Sequence, residues 1–192
     1  MYDLELMEHA YSRFFHNIFK NYRVNEDIHV LDVGCGDGRD SARFKQMGMN
    51  LHLMDIDVSR VLRSTGILLE FPGEGYLDSI YSMDIRDVDF FEKFHAVWAN
   101  ASLLHIPKDD FYLAFDKIYK SLKMDGVFYF SFKEGIGTEY DKTGRFFQYM
   151  TKDYIFDVLS EFPFKEIDFW ENKDYRYNDR VTNWLNFVAI KK

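Results

Sequence analysis

The sequence has one cysteine, little positive charge and no long apolar run. Cys35 has no partner among the 192 residues, so no intrachain disulfide can form. A disulfide scaffold is excluded, and a reducing cytoplasm is the expected compartment. No stretch approaches the roughly 18 consecutive apolar residues of a membrane span. Met1-Tyr2-Asp3-Leu4-Glu5 lacks a basic region and an apolar core, so no secretory signal is readable. A net charge of −8 opposes non-specific polyanion binding, which relies on clustered Lys and Arg. Repeats, low-complexity tracts and linkers are missing too. A chain of this length buries roughly 70% of its unfolded surface and needs no metal to fold. The abundant component is aromatic, at 19% of residues, which favours a packed core with rings left over for pocket walls.

Hydrophobic spacing then sets the organisation. Met7, Tyr11, Phe14, Phe15, Ile18, Phe19 and Tyr22 recur at steps of three and four, the stripe of an N-terminal helix over residues 1–22. Ile28-His29-Val30-Leu31-Asp32-Val33 reads as a buried strand running into Gly34-Cys35-Gly36-Asp37-Gly38. A helix over 39–47 ends at Gly48, where a C-cap favours positive φ. Leu51-His52-Leu53-Met54 is a second strand, and a helix with Val58, Val61, Leu62, Leu68 and Leu69 runs to the breakers at 71–75. Strands at 79–83 and 94–99, a helix over 108–122, a turn at 123–126 and a strand at 127–132 continue the alternation. Such βαβ units form a mostly parallel sheet covered on both faces. Residues 133–150 fit no period and read as a loop. A helix over 151–160 and strands at 164–170 and 184–190 follow, the strands pairing as an antiparallel edge hairpin. The chain reads as a single domain over 1–192.

A strand, a glycine turn and a helix let a ligand approach bare backbone closely. Asp55 follows Asp32 by 23 residues, near the spacing of about 20 at which a carboxylate accepts from a ribose. Together they indicate an adenosine-type nucleotide at the carboxyl edge of the sheet. The NAD fingerprint needs glycine at position 39, where this chain has Arg39. A carboxylate at Asp32 would repel a pyrophosphate but suits a ligand with ammonium and sulfonium charges.

Here the sequence resembles the class I S-adenosylmethionine-dependent methyltransferases. Val30-Leu31-Asp32-Val33-Gly34-Cys35-Gly36-Asp37-Gly38-Arg39 matches their first motif, Met54-Asp55-Ile56-Asp57 looks like the second, and Ser82-Met83-Asp84-Ile85 resembles the strand-end motif beside the adenine. The resemblance implies an α/β, Rossmann-like three-layer sandwich with a seven-stranded sheet in the order 3-2-1-4-5-7-6 and an antiparallel last strand. It implies S-adenosylmethionine as cofactor, S-adenosylhomocysteine as product, and cofactor contacts from Tyr11, Asp32, Gly34, Cys35, Gly36, Arg39, Asp55, Ile56, Met83, Asp84, Ile85, Asn100 and Ser102. Cys35, with no His or Lys nearby in sequence, reads as a small loop residue, not a nucleophile.

Methyl transfer from a sulfonium mainly requires alignment of the acceptor and exclusion of water. The stretch Trp98-Ala99-Asn100-Ala101-Ser102-Leu103-Leu104-His105-Ile106-Pro107 resembles a tellurite-resistance-like subgroup of these enzymes. Segments at 131–135, 144–147 and 184–186 do so too. His105, Lys133 and Arg145 are the catalytic candidates: His105 as a base or a core hydrogen-bonding residue, and the two cations as favouring a carboxylate- or phosphate-bearing acceptor. Residues 133–150, with three glycines, read as a mobile lid. His9, His16, His29, His52 and His95 are scattered and imply no metal. The leading reading is methyl transfer to a small molecule by a monomer or homodimer, with nucleic acid and membrane partners disfavoured. A tRNA or protein acceptor and a non-catalytic cofactor binder remain the alternatives; an NAD-dependent oxidoreductase is disfavoured.

Overall fold

The computed structural model describes residues 4–23, 26–63, 77–177 and 180–192. Among the described residues, nine strands follow one another as β1 (His29–Val33), β2 (Asn50–Asp55), β3 (Leu77–Ser82), β4 (Phe94–Ala99), β5 (Leu122–Lys133), β6 (Thr138–Tyr140), β7 (Phe146–Gln148), β8 (Phe164–Tyr177) and β9 (Arg180–Lys191). The α-helices are α1 (Leu4–Asn21), α2 (Arg39–Gln46), α3 (Ser59–Arg63), α4 (Phe111–Ser121) and α5 (Lys152–Ser160). Seven strands form one sheet in the order β3-β2-β1-β4-β5-β9-β8, and β6 pairs with β7 apart from it. Counting only the main sheet, this is 3-2-1-4-5-7-6, with β9 antiparallel to both neighbours.

Why these strands lie at the centre follows from their side chains. In β5, Phe128, Phe130 and Phe132 point to one face and Val127 and Tyr129 to the other, and all are buried. The first set packs with α4 and α5 through residues such as Phe115, Ile118 and Ile155. The second meets α1 and α2, where Trp98 stacks between Tyr11 and Tyr129 at ring distances of 5.1 and 3.9 Å. Phe14 closes on Trp98 edge-on at 4.9 Å. Each such buried side chain contributes roughly 1.5–3 kcal/mol. Among the described residues, no helix is long and apolar enough to cross a membrane.

The structure departs from the sequence expectation in four places. Residues 123–126 are not a turn between elements but an interruption inside β5, where Phe94 pairs with Leu122 and Ala96 with Val127. Asp125, at φ +63°, carries the bend. Residues 133–150 contain the β6–β7 hairpin, whose three-residue strands are too short to show a period. β8 and β9 run well beyond 164–170 and 184–190, through polar residues that the apolar pattern missed. The helix expected over 58–69 is no departure: α3 lies within that span, and the remainder falls outside the described residues.

The histidines give the fourth. His29, His52 and His95 are far apart in sequence but meet on neighbouring strands β1, β2 and β4. His29 Nδ1 lies 2.9 Å from His52 Nε2, and the His29 amide donates to His95 Nδ1 at 2.9 Å. The other nitrogen of His95 lies 3.0 Å from Lys123 Nζ. Burial, then the Lys123 charge, pushes His95 down to about 4. Among the described residues no group of His, Cys, Asp and Glu is arranged to hold a metal.

Candidate active site

After β1 the chain turns through Gly34, Gly36 and Gly38 at φ of +70°, +58° and +79°, a conformation cheap only for glycine. Gly34 is required by space as well, because a Cβ there would lie 2.4 Å from Ser102 Cβ. At Gly36 a Cβ would meet nothing nearer than the Arg60 guanidinium, at 3.9 Å. Bare backbone therefore faces open room at Gly36. The Gly34 and Cys35 amides donate to the Met54 carbonyl at 2.7 and 3.0 Å. Asp55 ties the next strand end to the same turn: Oδ2 accepts from Gly36 N–H at 2.9 Å and Oδ1 from Asp57 N–H at 3.0 Å. Each oxygen keeps acceptor capacity for a ligand hydroxyl.

A cavity of about 1060 Å³ opens over this turn at the carboxyl edge of the sheet. That is the upper end of small-ligand sites, roughly 300–1,000 Å³, and leaves room for a nucleoside-sized ligand beside a second molecule. Gly34, Cys35, Gly36, Arg39, Asn100, His105, Lys133 and Arg145 line it, together with Met7 of α1. Tyr11, Asp32, Asp55, Ile56, Met83, Asp84, Ile85 and Ser102 do not.

Several of the residues outside the lining have visible structural employment. Tyr11 is buried and donates to Asp40 Oδ1 at 2.8 Å. Asp32 is buried and accepts from the Ser41 hydroxyl. Burial and then the Asp40 charge push the Asp32 carboxyl well up. Asp84 is held side-on by Arg86, at 2.9 and 2.7 Å, and caps the following turn through Arg86 N–H. The Arg86 contact holds the Asp84 carboxyl below its ordinary range. Arg86 also pairs with Asp110. Ile85 is packed in the core, and Ile56 is exposed. Ser102 is packed on Gly34, and its buried hydroxyl makes no hydrogen bond among the described residues.

Sequence reasoning missed Asp40. Its carboxylate accepts from Tyr11 Oη, Trp98 Nε1 and Asn100 Nδ2 at 2.8, 2.8 and 3.0 Å. Asn100 Oδ1 in turn accepts from Ser131 Oγ at 2.9 Å, and Ser131 Oγ accepts from the Ala101 amide at 2.9 Å. This network pins the cavity floor and holds Ala101 at φ +50°, a strained setting for a residue with a Cβ. An acid in the first turn of a helix reads in sequence as a dipole partner, which is why Asp40 carried no signal.

On the far wall, His105 Nδ1 lies 2.6 Å from the Phe146 carbonyl. A carbonyl only accepts, so Nδ1 carries the proton and Nε2 keeps its lone pair. Burial lowers the His105 pKa, and the charges of Arg145 and Lys133 push the same way. Lys133 Nζ sits 4.4 Å over the Phe147 ring and 5.9 Å from that of Trp184, and burial lowers its pKa too. Burial, then Asp32 and Asp55, raises the Cys35 thiol. A thiol held protonated in this way is no nucleophile.

A family model described as a methyltransferase domain matches residues 30–126, half of the chain, and includes the glycine turn and Asp55. The chain belongs to the methyltransferase-domain family. Its sheet, with an antiparallel β9, has the class I fold of S-adenosylmethionine-dependent methyltransferases. Over 134 residues this methyltransferase domain is 31% identical to the sterol 24-C-methyltransferase of Debaryomyces hansenii, covering 66% of this chain and 33% of that protein. The corresponding enzyme of Clavispora lusitaniae is 33% identical over 138 residues, covering 66% of this chain and 34% of that protein. The chain thus spans about a third of the length of the curated relatives it matches. The solved Burkholderia thailandensis 1,6-didemethyltoxoflavin-N1-methyltransferase superposes with a TM-score of 0.70 at 18% identity, covering 97% of this chain and 87% of that one. The magnesium protoporphyrin IX methyltransferase from Synechocystis PCC 6803 gives 0.68 at 16%, covering 96% and 79%.

Proposed function

We propose that the protein transfers a methyl group from S-adenosylmethionine to a small-molecule acceptor within the cavity over the glycine turn. The observation that carries this reading is the joining of the Gly34–Gly36 backbone to the Asp55 carboxylate beneath open room of about 1060 Å³. When bound, the cofactor supplies an activated methyl on sulfur. Gly36 offers the close backbone approach, and Asp55 the acceptor for ribose hydroxyls. Asn100, fixed by Asp40 and Ser131, forms part of the floor.

The chain's own residues do the rest. His105, neutral and with Nε2 unprotonated, takes a proton from an acceptor that must lose one. General-base help of this kind is worth roughly 10²–10⁴-fold. Phe147 and Trp184 exclude water beside Lys133. The β6–β7 hairpin, with Gly135, Gly137 and Gly144 all at positive φ, acts as the lid. Fold neighbours and relatives acting on toxoflavin precursors, porphyrins and sterols support a small acceptor, and the net charge of −8 disfavours RNA. The resemblance of residues 98–107 favours the tellurite-resistance-like subgroup.

The test needs no knowledge of the acceptor. S-adenosylmethionine labelled in its methyl group is incubated with the protein and fractionated cell extract. Label in the small-molecule fraction is expected. Label confined to the tRNA or protein fraction refutes the small-molecule reading.

A further inference from the structure

We infer that the acceptor carries an anionic group, a carboxylate or a phosphate, held between Lys133 and Arg145. The inference rests on the proposed methyltransferase reading and names the class of its substrate.

The cavity wall around His105 contains charges of both signs, and the two signs are used differently. The acidic side chains are committed to the chain itself. Glu139 accepts from the Tyr149 hydroxyl. Asp141 Oδ1 accepts from the Thr143 amide, the Thr143 hydroxyl and the Arg145 amide at 2.8, 2.7 and 3.0 Å, which is how the β6–β7 turn is closed. Asp174 is buried at 3% exposure and has partners within the protein.

The two cations are not committed in this way. Among the described residues, neither Lys133 nor Arg145 has a carboxylate within ion-pair distance or a hydrogen-bond acceptor for its charged end. The seat of Lys133 is formed by the faces of Phe147 and Trp184. Rings hold a cation in place but leave its three N–H donors unfilled. The side chain is half-buried, and burial lowers its pKa. The charges of Glu139, Asp174 and Asp141 act on it from beyond ion-pair distance without offsetting that burial, so an anionic ligand in direct contact improves the arrangement. His105 lines the same cavity as Lys133 and Arg145, so an anion gripped there shares the cavity with its imidazole. Its charge also supports the imidazolium that forms when His105 takes a proton.

The test uses protein saturated with S-adenosylhomocysteine and four small probes of similar size: benzoate, phenyl phosphate, benzylamine and benzyl alcohol. Binding is followed by NMR titration. The expected order places benzoate or phenyl phosphate well ahead of the amine and the alcohol. Lys133→Gln and Arg145→Gln should each weaken the favoured anion about tenfold, the loss of one charged hydrogen bond, while Lys133→Arg retains most of the affinity. Arg145 is exposed, so its variant folds even where a change at Lys133 disturbs the wall. Anions that fail to bind, that bind no better than benzylamine or benzyl alcohol, or that bind both Gln variants as well as the parent protein overturn the inference. S-adenosylhomocysteine affinity, measured first on the same samples, separates this result from failure of the methyltransferase reading. No S-adenosylhomocysteine binding sinks the parent reading, whereas normal binding with no anion preference sinks only this one.

Discussion

Replacing Gly34 by alanine adds one carbon at the most crowded point of the site. Two separate costs follow. The residue sits at φ +70°, where an L side chain is unfavourable by roughly 1–2 kcal/mol. The new Cβ would also lie 2.4 Å from Ser102 Cβ, against an ordinary carbon contact of roughly 3.5–4.0 Å, so one side must move by about an ångström or more. Overpacking of this kind costs about 1–3 kcal/mol. The sum, roughly 2–5 kcal/mol, is a large part of the 5–15 kcal/mol that stabilises a typical domain. Ser102 precedes the short turn carrying His105, so the displacement also moves the far wall of the cavity. Urea unfolding of four proteins resolves the two contributions: parent, Gly34→Ala, Ser102→Gly and the double variant. In the Ser102→Gly background the contact is gone, and Gly34→Ala should cost only the backbone term. The coupling should therefore be about 1–3 kcal/mol, and the direct effects of Ser102→Gly cancel in the cycle. Equal costs in both backgrounds, or a Gly34→Ala cost below about 1 kcal/mol, would show that the Ser102 contact does not restrict position 34. Gly36→Ala is the control: it meets no such contact, costs only about 1–2 kcal/mol in stability, and fills the room over the turn, so ligand affinity should fall more than stability does.

Asp55→Ala should weaken S-adenosylhomocysteine binding by about 1.5–3 kcal/mol, the range for hydrogen bonds to a charged group; calorimetry showing unchanged affinity would mean that the ribose is held elsewhere. His105 is held neutral by burial, so methyl transfer should be flat at neutral pH and decline on acidification below the ordinary histidine value of about 6.5. His105→Gln should lose roughly 10²–10⁴ in rate along with that limb; a variant that keeps the limb assigns it to another group. The folded His95 value is pushed down to about 4, so the unfolded chain binds the proton first. Its contribution is complete above the unfolded value near 6.5 and is lost as pH falls towards 4, on the order of 1–3 kcal/mol. Melting temperatures of the parent and His95→Gln should differ most at neutral pH and converge in acid; curves that stay parallel would remove His95 as the cause.

The sequence revealed most where burial is complete on both faces. β1, β2 and β4 are short apolar runs because each lies inside the sheet, and the glycine turn and Asp55 sit at strand ends fixed by those runs. Legibility failed where contacts come from register. His29, His52 and His95 became neighbours only once three parallel strands were aligned. Asp40 gained its role from Tyr11, Trp98 and Asn100, residues remote from it in the chain. The β6–β7 hairpin has strands of three residues, below the length at which alternation can be read. Asp174 lies in the part of β8 that polar residues hid. Asp84 stands at a strand end, as its motif implies, and its contact with the nearby Arg86 guanidinium is visible only in the structure.

In the proposed function, the glycine turn and Asp55 hold an adenosyl ligand of the sulfonium type. Titration calorimetry of the parent protein with S-adenosylmethionine, S-adenosylhomocysteine and NAD tests it most directly. Saturable one-site binding of the first two is expected, with no heat of binding for NAD. NAD binding in the absence of any S-adenosylhomocysteine signal would contradict it.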